Sequence, residues 1–270
     1  MRLSIVIVSF NARSDLENCL RSLTTIPPAL AHDITVVDNA SADGSVEAVR
    51  AGWPGVQVIA RCVNDGFATA NNVGIRATTG ELILLLNSDT IVPAGAIDAL
   101  VDRLQAYPRA AVAGPRLVNR DGVPELSFGS MIGPLAELKQ KAIVALQARG
   151  VAPVRGWVER ATSHDRFVDW VSGACLLVYR ADAEAVGLLD ERYFLYTEDV
   201  DFCAAIRARG RCILFTPAAQ ITHLRGRSRA TAPARVNVAY RRSQIAFYEK
   251  HHPRWAPMLR AYLRLKRELP

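Results

Sequence analysis

Short apolar segments alternate with helix-like segments from the first residues to Val118. Ser4 to Phe10 is an almost continuous β-branched run, which is typical of a strand buried on both faces. A helix that ends before Pro27 is expected next, with Ser14 and Glu17 forming a capping box at its start. Further strands are expected at 33–38, 56–61, 81–87 and 111–118, with helices at 45–51, 67–78 and 93–107 between them. This alternation predicts an α/β fold with a mainly parallel sheet flanked by helices.

The rest of the chain is patterned less regularly. Residues 121–166 contain one helical stretch near 135–148 and otherwise resemble a long loop, which favours a binding loop or lid. Strand-like composition returns at 167–180, and a helix is expected at 199–209, followed by strands at 212–215 and 220–224. The last forty residues are expected to be helical, with breaks at Pro253 and Pro257.

Composition limits the class of protein. Half of the 270 residues are hydrophobic and 22% are charged, which excludes disordered and collagen-like chains. The five cysteines are scattered and lack CxxC spacing, so buried thiols in a reducing cytoplasm are expected. No apolar run reaches the ~18 residues of a membrane span, and the N-terminal run lacks a signal-peptide cleavage site.

The positive charge is concentrated at the C-terminal end. Residues 225–270 contain twelve Arg or Lys and two Glu, a local net charge of +10, whereas residues 1–224 carry −3. Such a region can meet an anionic membrane surface, a lipid diphosphate or nucleic acid. Alternatively, it is a solvated helical tail that packs on the protein or on a second subunit. A homo-oligomer is therefore an open possibility.

Polar residues follow several of the predicted strands. Ligands of open α/β sheets bind outside the carboxyl ends of the strands. The residues expected there are Ser9, Asn11, Asp38, Asn64, Asn87, Ser88 and Asp89. Asp38 can accept a hydrogen bond from a ribose hydroxyl or a base N–H, or it can close an Asx turn toward Ser41. No GxGxxG motif follows the first strand, which argues against a dinucleotide-dependent oxidoreductase.

Two asparagines lie inside a predicted helix that begins at Phe67. Asn71 and Asn72 are poor helix formers, so a role other than helix propensity is expected for them. They can bind a sugar or a diphosphate. Alternatively, they form cross-loop hydrogen bonds that fix the turn before the helix.

Acidic residues occur at two places where chemistry is expected. Asp89 follows a buried strand, where a carboxylate can meet a divalent cation or a diphosphate, or can cap a helix. Glu198, Asp199 and Asp201 follow an aromatic run, and their mutual repulsion raises a pKa as a general base requires. The alternative is that they interact with a helix dipole. His223 can be a metal ligand or an ordinary histidine.

Seven features occur in order along the chain: VSFN, VVDNAS, NDGFATANNVGI, LLLNSDT, VSGACLLV, ERYFLYTEDVDFC and the late His223. Together they resemble the family-2 glycosyltransferases over residues 3 to about 225. The resemblance implies a GT-A fold and an inverting enzyme with a nucleotide-sugar donor. The segment FLYTEDVD is most similar to the bacterial rhamnosyltransferase branch.

The resemblance also implies roles for individual residues. Asp38 would recognise the nucleoside, Asp89 would bind Mg²⁺ or Mn²⁺, and His223 would be a further ligand of the metal or of the diphosphate. Asp199 would be the catalytic base, with Glu198 beside it. The family commonly has D-x-D where this chain has Asn87, and a neutral amide binds a divalent ion more weakly than a carboxylate does. The donor site would comprise Ser9, Asn11, Asp38, Asn64, Phe67, Asn71, Asn72, Asn87 and Ser88.

The implied activity is transfer of L-rhamnose from dTDP-L-rhamnose in bacterial cell-surface polysaccharide synthesis. The acceptor would be a saccharide or a lipid-linked saccharide, and a UDP-sugar is the alternative donor. A nucleic-acid-binding module would explain the basic tail but not the carboxylate cluster, so nucleic acid is not an expected partner. The expected division is a catalytic domain at 1–224, with a flexible acceptor-side segment at 121–166, and a basic helical region at 225–270. The protein is expected in the cytoplasm, or peripherally at the inner face of the plasma membrane.

Overall fold

The computed structural model describes residues 1–224 and 233–269, without the side chains of residues 233–235. The first half of the chain contains β1 (Leu3–Ser9), α1 (Arg13–Thr25), β2 (His32–Asp38), α2 (Ser45–Gly52), β3 (Gln57–Ala60), α3 (Phe67–Arg76), β4 (Leu82–Asn87), β5 (Thr90–Ile91), α4 (Ala96–Ala106) and β6 (Ala110–Val118). The second half contains β7 (Phe128–Gly129), α5 (Pro134–Ala148), α6 (Ala152–Ala161), β8 (Arg166–Val168), β9 (Trp170–Val171), β10 (Cys175–Tyr179), α7 (Arg180–Ala185), α8 (Glu198–Ala208), β11 (Cys212–His223), α9 (Pro233–His251) and α10 (Ala256–Leu265).

Within residues 1–224 and 233–269, nine strands form one sheet in the order β3-β2-β1-β4-β10-β6-β11-β5, with β8 paired to β11. Strand β1 runs parallel to both β2 and β4, and β11 runs parallel to β6. Strand β10 enters between β4 and β6 in the antiparallel direction. The α/β architecture with a mainly parallel sheet is therefore confirmed.

The strand register brings the polar strand ends together. Ser9 of β1 lies opposite Asp38 of β2, and Val8 lies opposite Asn87 of β4. Neighbouring strands are about 4.8 Å apart, so these three strand ends are adjacent along one edge of the sheet. The edge is the carboxyl end that the sequence predicts for ligand binding.

The core occupies both faces of the sheet. Ile5 and Ile7 point to one face, where they share a buried cluster with residues of α1 and α4 such as Leu20. Val6 points to the other face, toward a cluster that includes Phe202 of α8 and Phe247 of α9. Burial on both faces explains why β1 is continuously apolar and does not alternate with polar residues.

The first helix does not begin with the expected capping box. Helix α1 begins at Arg13 after Ala12, and no side-chain hydrogen bond caps it. The Arg13 backbone N–H donates instead to Asp43 Oδ2 at 2.8 Å, and the Arg13 guanidinium contacts Glu17 at 2.9 Å. The Asp43 carboxylate, in the loop between β2 and α2, therefore satisfies a backbone N–H at the start of α1. The local sequence around Arg13 could not indicate this contact.

Several element boundaries also differ from the sequence predictions. Helix α4 begins at Ala96 after Gly95, whose φ of +74° is left-handed, and not at Pro93. Residues 166–179 form three short strands, whereas the region from Cys212 to His223 is one strand. That strand shifts register between Thr216 and Gln220, around Pro217, which has no backbone N–H to donate.

The segment 121–166 contains more regular structure than expected. Helix α5 agrees with the predicted helical stretch, but α6 occupies a region that the sequence indicates as loop. Pro153 lies near the start of α6 and Gly156 lies within it, and only Val158 and Ala161 are buried there, so its apolar pattern is weak. Mobility of this segment and its role on the acceptor side stay predictions.

The described part of the C-terminal region packs on the sheet domain. Phe247 and Tyr248 of α9 are buried. The carboxylate of Asp201 in α8 accepts hydrogen bonds from Lys250 Nζ at 2.8 Å and His251 Nε2 at 2.6 Å. The beginning of the basic region, residues 225–232, lies outside the described residues. Within the described ranges, no helix has the length and apolar composition needed to span a membrane.

We predict that Phe247→Ala destabilises the whole protein by about 3–5 kcal/mol, because a fully buried ring leaves a cavity in the shared core. Met258→Ala in α10 is the control and should change stability by less than about 0.5 kcal/mol, because its side chain is exposed. Denaturant unfolding followed by circular dichroism measures both changes. A separate, low-stability transition for the tail alone would contradict the prediction.

Candidate active site

Three buried side-chain oxygens without a protein partner lie at adjacent strand ends. They are Ser9 Oγ, Asp38 Oδ1 and Asn87 Oδ1, on β1, β2 and β4. A buried polar atom without a hydrogen bond costs about 1–3 kcal/mol, so such atoms are rare away from functional sites. Their meeting at one edge favours this edge as the place where a polar ligand binds.

The two oxygens of Asp38 differ in their surroundings. Oδ2 accepts a hydrogen bond from the Ser41 backbone N–H at 2.9 Å, which is the Asx turn left open by the sequence. Oδ1 has no protein partner. The carboxylate can therefore close the turn with one oxygen and accept a ligand hydrogen bond with the other.

Asn11 fixes the loop that follows Asp38. Its backbone N–H donates to Ser41 Oγ at 2.8 Å, and its Oδ1 accepts from the Ala42 backbone N–H at 2.8 Å. Its φ of +49° is left-handed, a conformation that asparagine tolerates better than most residues. Asn11 is exposed, and these contacts give it a positioning role for the Asp38 loop.

Asn64 and Gly66 shape the turn before α3, together with Asn39, which follows Asp38 at the end of β2. Asn39 is buried and donates from Nδ2 to Asn64 Oδ1 at 2.9 Å and to the Gly66 carbonyl at 3.2 Å. Gly66 has a φ of +90°, and a Cβ there would lie 2.5 Å from the Phe194 carbonyl oxygen. Only glycine allows the aromatic segment to approach this closely. The position of Asn39 directly after Asp38 was the available signal.

The residues at the start of α3 connect the strand edge to the aromatic segment. The Phe67 backbone N–H donates to the Phe194 carbonyl at 2.7 Å, and Asn71 Nδ2 donates to the Phe67 carbonyl at 2.9 Å. Asn72 exchanges hydrogen bonds with the backbone of Leu189, at 2.8 and 3.1 Å. The Asn72 contacts match the cross-loop alternative, whereas the Asn71 bond stays within α3. A direct role of Asn71 and Asn72 in donor binding stays a prediction.

Asp89 and His223 meet although 133 residues separate them in sequence. Strand β11 pairs with β5, which places His223 Nε2 3.2 Å from Asp89 Oδ1. The other ring nitrogen, Nδ1, lies 3.7 Å from Oε2 of Glu125, which the sequence analysis missed. Asn87 Nδ2 lies 3.5 Å from His223 Nε2, and Ser88 is half-buried between Asn87 and Asp89. Tertiary pairing therefore assembles a mixed oxygen and imidazole cluster.

The donor set fits a divalent ion that is held partly by its substrate. Within residues 1–224 and 233–269, no group of three or more His, Cys, Asp or Glu side chains is arranged to hold a metal ion by itself. Asp89 and His223 could supply two ligands, and Asn87, whose Oδ1 has no protein partner, lies next to His223. Mg²⁺ and Mn²⁺ commonly bind through one or two protein carboxylates plus substrate phosphates.

Asp199 is held rigidly at the start of α8. Its Oδ2 accepts from the Gly173 backbone N–H at 2.8 Å, and its Oδ1 accepts from the Val200 backbone N–H at 2.8 Å. Gly173 precedes Ala174, whose carbonyl accepts from the Asn87 backbone N–H at 2.9 Å. Asp199 is thus linked to the end of β4. The glycine inside an apolar run was the available signal for this close approach.

Glu198 and Asp199 have different protonation tendencies. Burial raises the pKa of Glu198 well above its ordinary value, and the charge of Asp199 raises it further. Burial also raises the pKa of Asp199, but the backbone N–H groups of Gly173 and Val200 oppose the rise. The proton therefore favours Glu198 and the negative charge favours Asp199, which is the pattern expected of a divided acid and base pair.

Asp201, the third acid of the cluster, serves a separate purpose. Its carboxylate accepts from Tyr193 Oη at 3.2 Å in addition to Lys250 and His251 of α9. It lies within the same helix as Asp199 but is buried among these partners. Asp201 therefore anchors α9 to α8, the helix that carries Asp199.

A sequence profile described as Glycosyl transferase family 2 matches residues 4–156, which is more than half of the chain. The chain belongs to this family. It is 30% identical over 99% of its length to the N-acetylglucosaminyl-diphospho-decaprenol L-rhamnosyltransferase of Mycobacterium tuberculosis, of which 92% is covered. This family member is a glycosyltransferase similar to the rhamnosyltransferases, as its motifs predict.

Solved structures confirm the GT-A-like fold. The mannosyltransferase PcManGT from Pyrobaculum calidifontis, solved with GDP-Man and Mn²⁺, aligns with a TM-score of 0.62 at 18% identity, over 96% of this chain and 68% of that one. GalNAc-T7, solved with UDP, GalNAc and Mn²⁺, aligns with a TM-score of 0.60 at 17% identity. The alignment covers 83% of this chain, which spans only 44% of the GalNAc-T7 chain.

The raised pKa of Glu198 predicts a pH-dependent effect of Glu198→Gln. Above the ordinary glutamate pKa of about 4.3, the unfolded chain releases a proton that the folded protein retains. The contribution of Glu198 to the stability of the wild type is therefore fully present below that pH. It is lost as the pH rises through the pKa that Glu198 has in the folded protein. Glutamine remains neutral, so the variant should gain stability relative to the wild type as the pH rises.

Thermal unfolding at a series of pH values between about 4 and 8 measures this difference. Circular dichroism at each pH verifies that both proteins have the same fold. A difference in melting temperature that stays constant over the range would show that Glu198 is not held protonated.

Proposed function

We propose that this glycosyltransferase moves L-rhamnose from dTDP-L-rhamnose, with inversion, onto a lipid-linked saccharide acceptor. The observation that carries the proposal is the row of partnerless oxygens of Ser9, Asp38 and Asn87 at one sheet edge, to which the anchored carboxylate of Asp199 is linked through the Gly173–Ala174 backbone. This arrangement provides a donor-binding edge and a base within one site. The choice of sugar and acceptor is supported by the M. tuberculosis relative, whose name specifies both.

The strand ends of β1 and β2 would receive the nucleoside. Asp38 Oδ1 is an acceptor without a protein partner, and it suits the N–H of a pyrimidine base or a sugar hydroxyl. Ser9 Oγ lies on the neighbouring strand in register with Asp38. The Asn11, Asn39 and Asn64 side chains hold the surrounding loops in place, so the site is formed before the ligand binds.

Asp89, His223 and the Asn87 amide oxygen would hold a divalent cation next to the diphosphate. When bound, Mg²⁺ or Mn²⁺ neutralises the charge that develops on a departing nucleoside diphosphate. The two structural neighbours solved with Mn²⁺ support the use of such an ion. Glu125, next to Nδ1 of His223, would orient the imidazole so that Nε2 faces Asp89.

Asp199 would remove the proton from the acceptor hydroxyl. Its two backbone hydrogen bonds fix the carboxylate and favour its charged form. The acceptor oxygen then attacks the anomeric carbon from the side opposite the leaving diphosphate, which inverts the configuration. Burial and the charge of Asp199 raise the pKa of Glu198, so a neutral Glu198 would keep a second negative charge out of the site and support Asp199 without accepting the proton itself.

We expect Asp199→Asn to retain donor binding and to lose transfer by ~10²- to 10⁴-fold, because the amide cannot accept the acceptor proton. Glu198→Gln is the matched control and should be milder, because glutamine preserves a neutral side chain. Transfer is measured as release of nucleoside diphosphate from a panel of dTDP- and UDP-sugars. A severe Glu198→Gln defect with a mild Asp199→Asn defect would exchange the two roles, and release from UDP-sugars alone would replace the proposed donor.

The metal and nucleoside assignments predict two distinct binding defects. Asp89→Ala should remove the increase in dTDP affinity that Mn²⁺ or Mg²⁺ provides, because it removes the charged ligand. Asp38→Asn should weaken dTDP binding both with and without metal, because it alters the nucleoside contact. Asp102→Ala, on the exposed side of α4, is the control and should change neither.

Isothermal titration calorimetry with and without metal separates these cases. If Asp89→Ala keeps the full metal-dependent gain, Asp89 is not a metal ligand. If Asp38→Asn binds dTDP as tightly as the wild type, the nucleoside lies elsewhere.

A further inference from the structure

Helix α10 lies at the surface, and only part of its apolar side packs on the protein. Ala256 and Leu263 are buried, and Leu259 packs partly against the core, so these three residues form the face that joins the protein. A second row lies on another side of the helix. Its members and their exposed fractions are Trp255 (47%), Met258 (59%), Tyr262 (49%) and Leu265 (87%). A surface helix of a globular protein normally turns its apolar side toward the core, so this exposed apolar row requires an explanation.

We call this second row the α10 stripe. Its members recur three or four residues apart, so they lie along one side of the helix. Single exposed apolar residues are common on proteins, but a continuous row marks a surface that contacts something apolar. Trp and Tyr are the side chains favoured where an apolar phase meets water.

Basic residues lie at both ends of the α10 stripe. Arg254 precedes it, and Lys266 and Arg267 follow it. Lys266 Nζ lies 5.3 Å from the centre of the Tyr262 ring, which places the charge next to the apolar row. The one acid in the last turn, Glu268, is paired with Arg241 of α9. The local combination is therefore apolar and cationic.

Helix α5 extends the exposed apolar surface. None of its residues is buried, and Leu135 and Leu138 are more than half exposed. Its start is close to the α9–α10 connection, because His252 Nε2 donates a hydrogen bond at 2.6 Å to the carbonyl oxygen of Ile132, two residues before α5. Glu137 also joins α5 to α9, where it accepts a hydrogen bond from Tyr248 Oη at 2.9 Å.

We propose that the α10 stripe lies on an anionic membrane surface, with the helix parallel to the plane of the bilayer. An amphipathic helix with Trp and Leu on its apolar side and Lys and Arg beside them binds at this depth. A second copy of the chain is a poorer match, because a symmetric contact would bring the same basic residues of two copies together. Anionic lipid headgroups neutralise those charges instead.

The proposal assigns only part of the tail to the membrane. Of the apolar residues interleaved with the tail arginines, Ile245, Phe247, Tyr248 and Leu263 are buried in the protein and cannot contact lipid. These buried residues hold the tail against the protein. Lys250 and His251 of α9 connect it to the active site, because they bind Asp201, two residues after Asp199. If the proposed lipid-linked acceptor is correct, its saccharide would be presented to a site held at the same surface, and this consequence alone rests on the proposed function.

Vesicle co-sedimentation of the full chain tests the proposal without donor or acceptor, so its result does not depend on the proposed activity. The vesicles contain equimolar phosphatidylglycerol and phosphatidylcholine, or phosphatidylcholine alone, at low and high ionic strength. The wild type should pellet with the anionic vesicles and lose binding at high ionic strength, because salt screens the charges. The double variant Met258→Ser/Leu265→Ser should bind at least about tenfold more weakly. Ile26→Ser, an exposed apolar residue at the end of α1, is the matched control and should bind like the wild type.

Two further measurements keep the test decisive. Replacing Lys266 and Arg267 by Gln should weaken anionic-vesicle binding on the order of fivefold per residue. Hydrogen exchange of the wild type should slow across 255–265 when anionic vesicles are added, which needs no variant to fold. Absence of wild-type binding, equal binding to both vesicle types, or an equal loss in Ile26→Ser would overturn the proposal. A wild-type dimer that the double variant loses, without vesicle binding, would assign the stripe to a second copy.

Discussion

The parallel pairing of β1 with both β2 and β4 is the constraint on which the site depends. It places Ser9, Asp38 and the end of β4 side by side at one edge of the sheet. The hydrogen-bonded ladders and the cores on both faces stabilise this edge, so it can hold buried oxygens without protein partners. A site of this kind costs stability locally, and the surrounding packing offsets the cost.

The antiparallel strand β10 brings the second half of the site to that edge. It pairs with β4, and the segment before it contains Gly173, which donates to Asp199. Absence of a side chain at Gly173 permits the approach, since a Cβ there would lie 3.2 Å from that of Asp199. Burial raises the pKa of both Glu198 and Asp199, and the Gly173 backbone N–H opposes the rise only at Asp199, which separates the two protonation tendencies. Fold topology and acid–base chemistry are therefore coupled through one glycine.

The C-terminal helices extend the same arrangement toward the surface. Asp201 ties α9 to the helix of Asp199, and Glu137 ties α9 to α5. These charge-assisted contacts specify where the tail lies, because Asp201 and Glu137 each accept hydrogen bonds from α9 that another placement of the helix would lose. The basic, exposed face of α10 is consequently held in a defined position relative to the active site.

The sequence alone predicts the order of strands and helices in the first half of the chain, because continuous β-branched runs and Gly or Pro boundaries are local signals. It also indicated Asp38, Asp89 and Asp199 through their positions after buried segments and through the family motifs. The tertiary structure alone decided that His223 meets Asp89, that Asp43 satisfies the start of α1, and that Asn72 binds the backbone of Leu189. It also decided which tail residues are buried and which form the exposed stripe. These outcomes depend on contacts between segments far apart in sequence, and local patterns of hydrophobicity and propensity contain no information about such pairings.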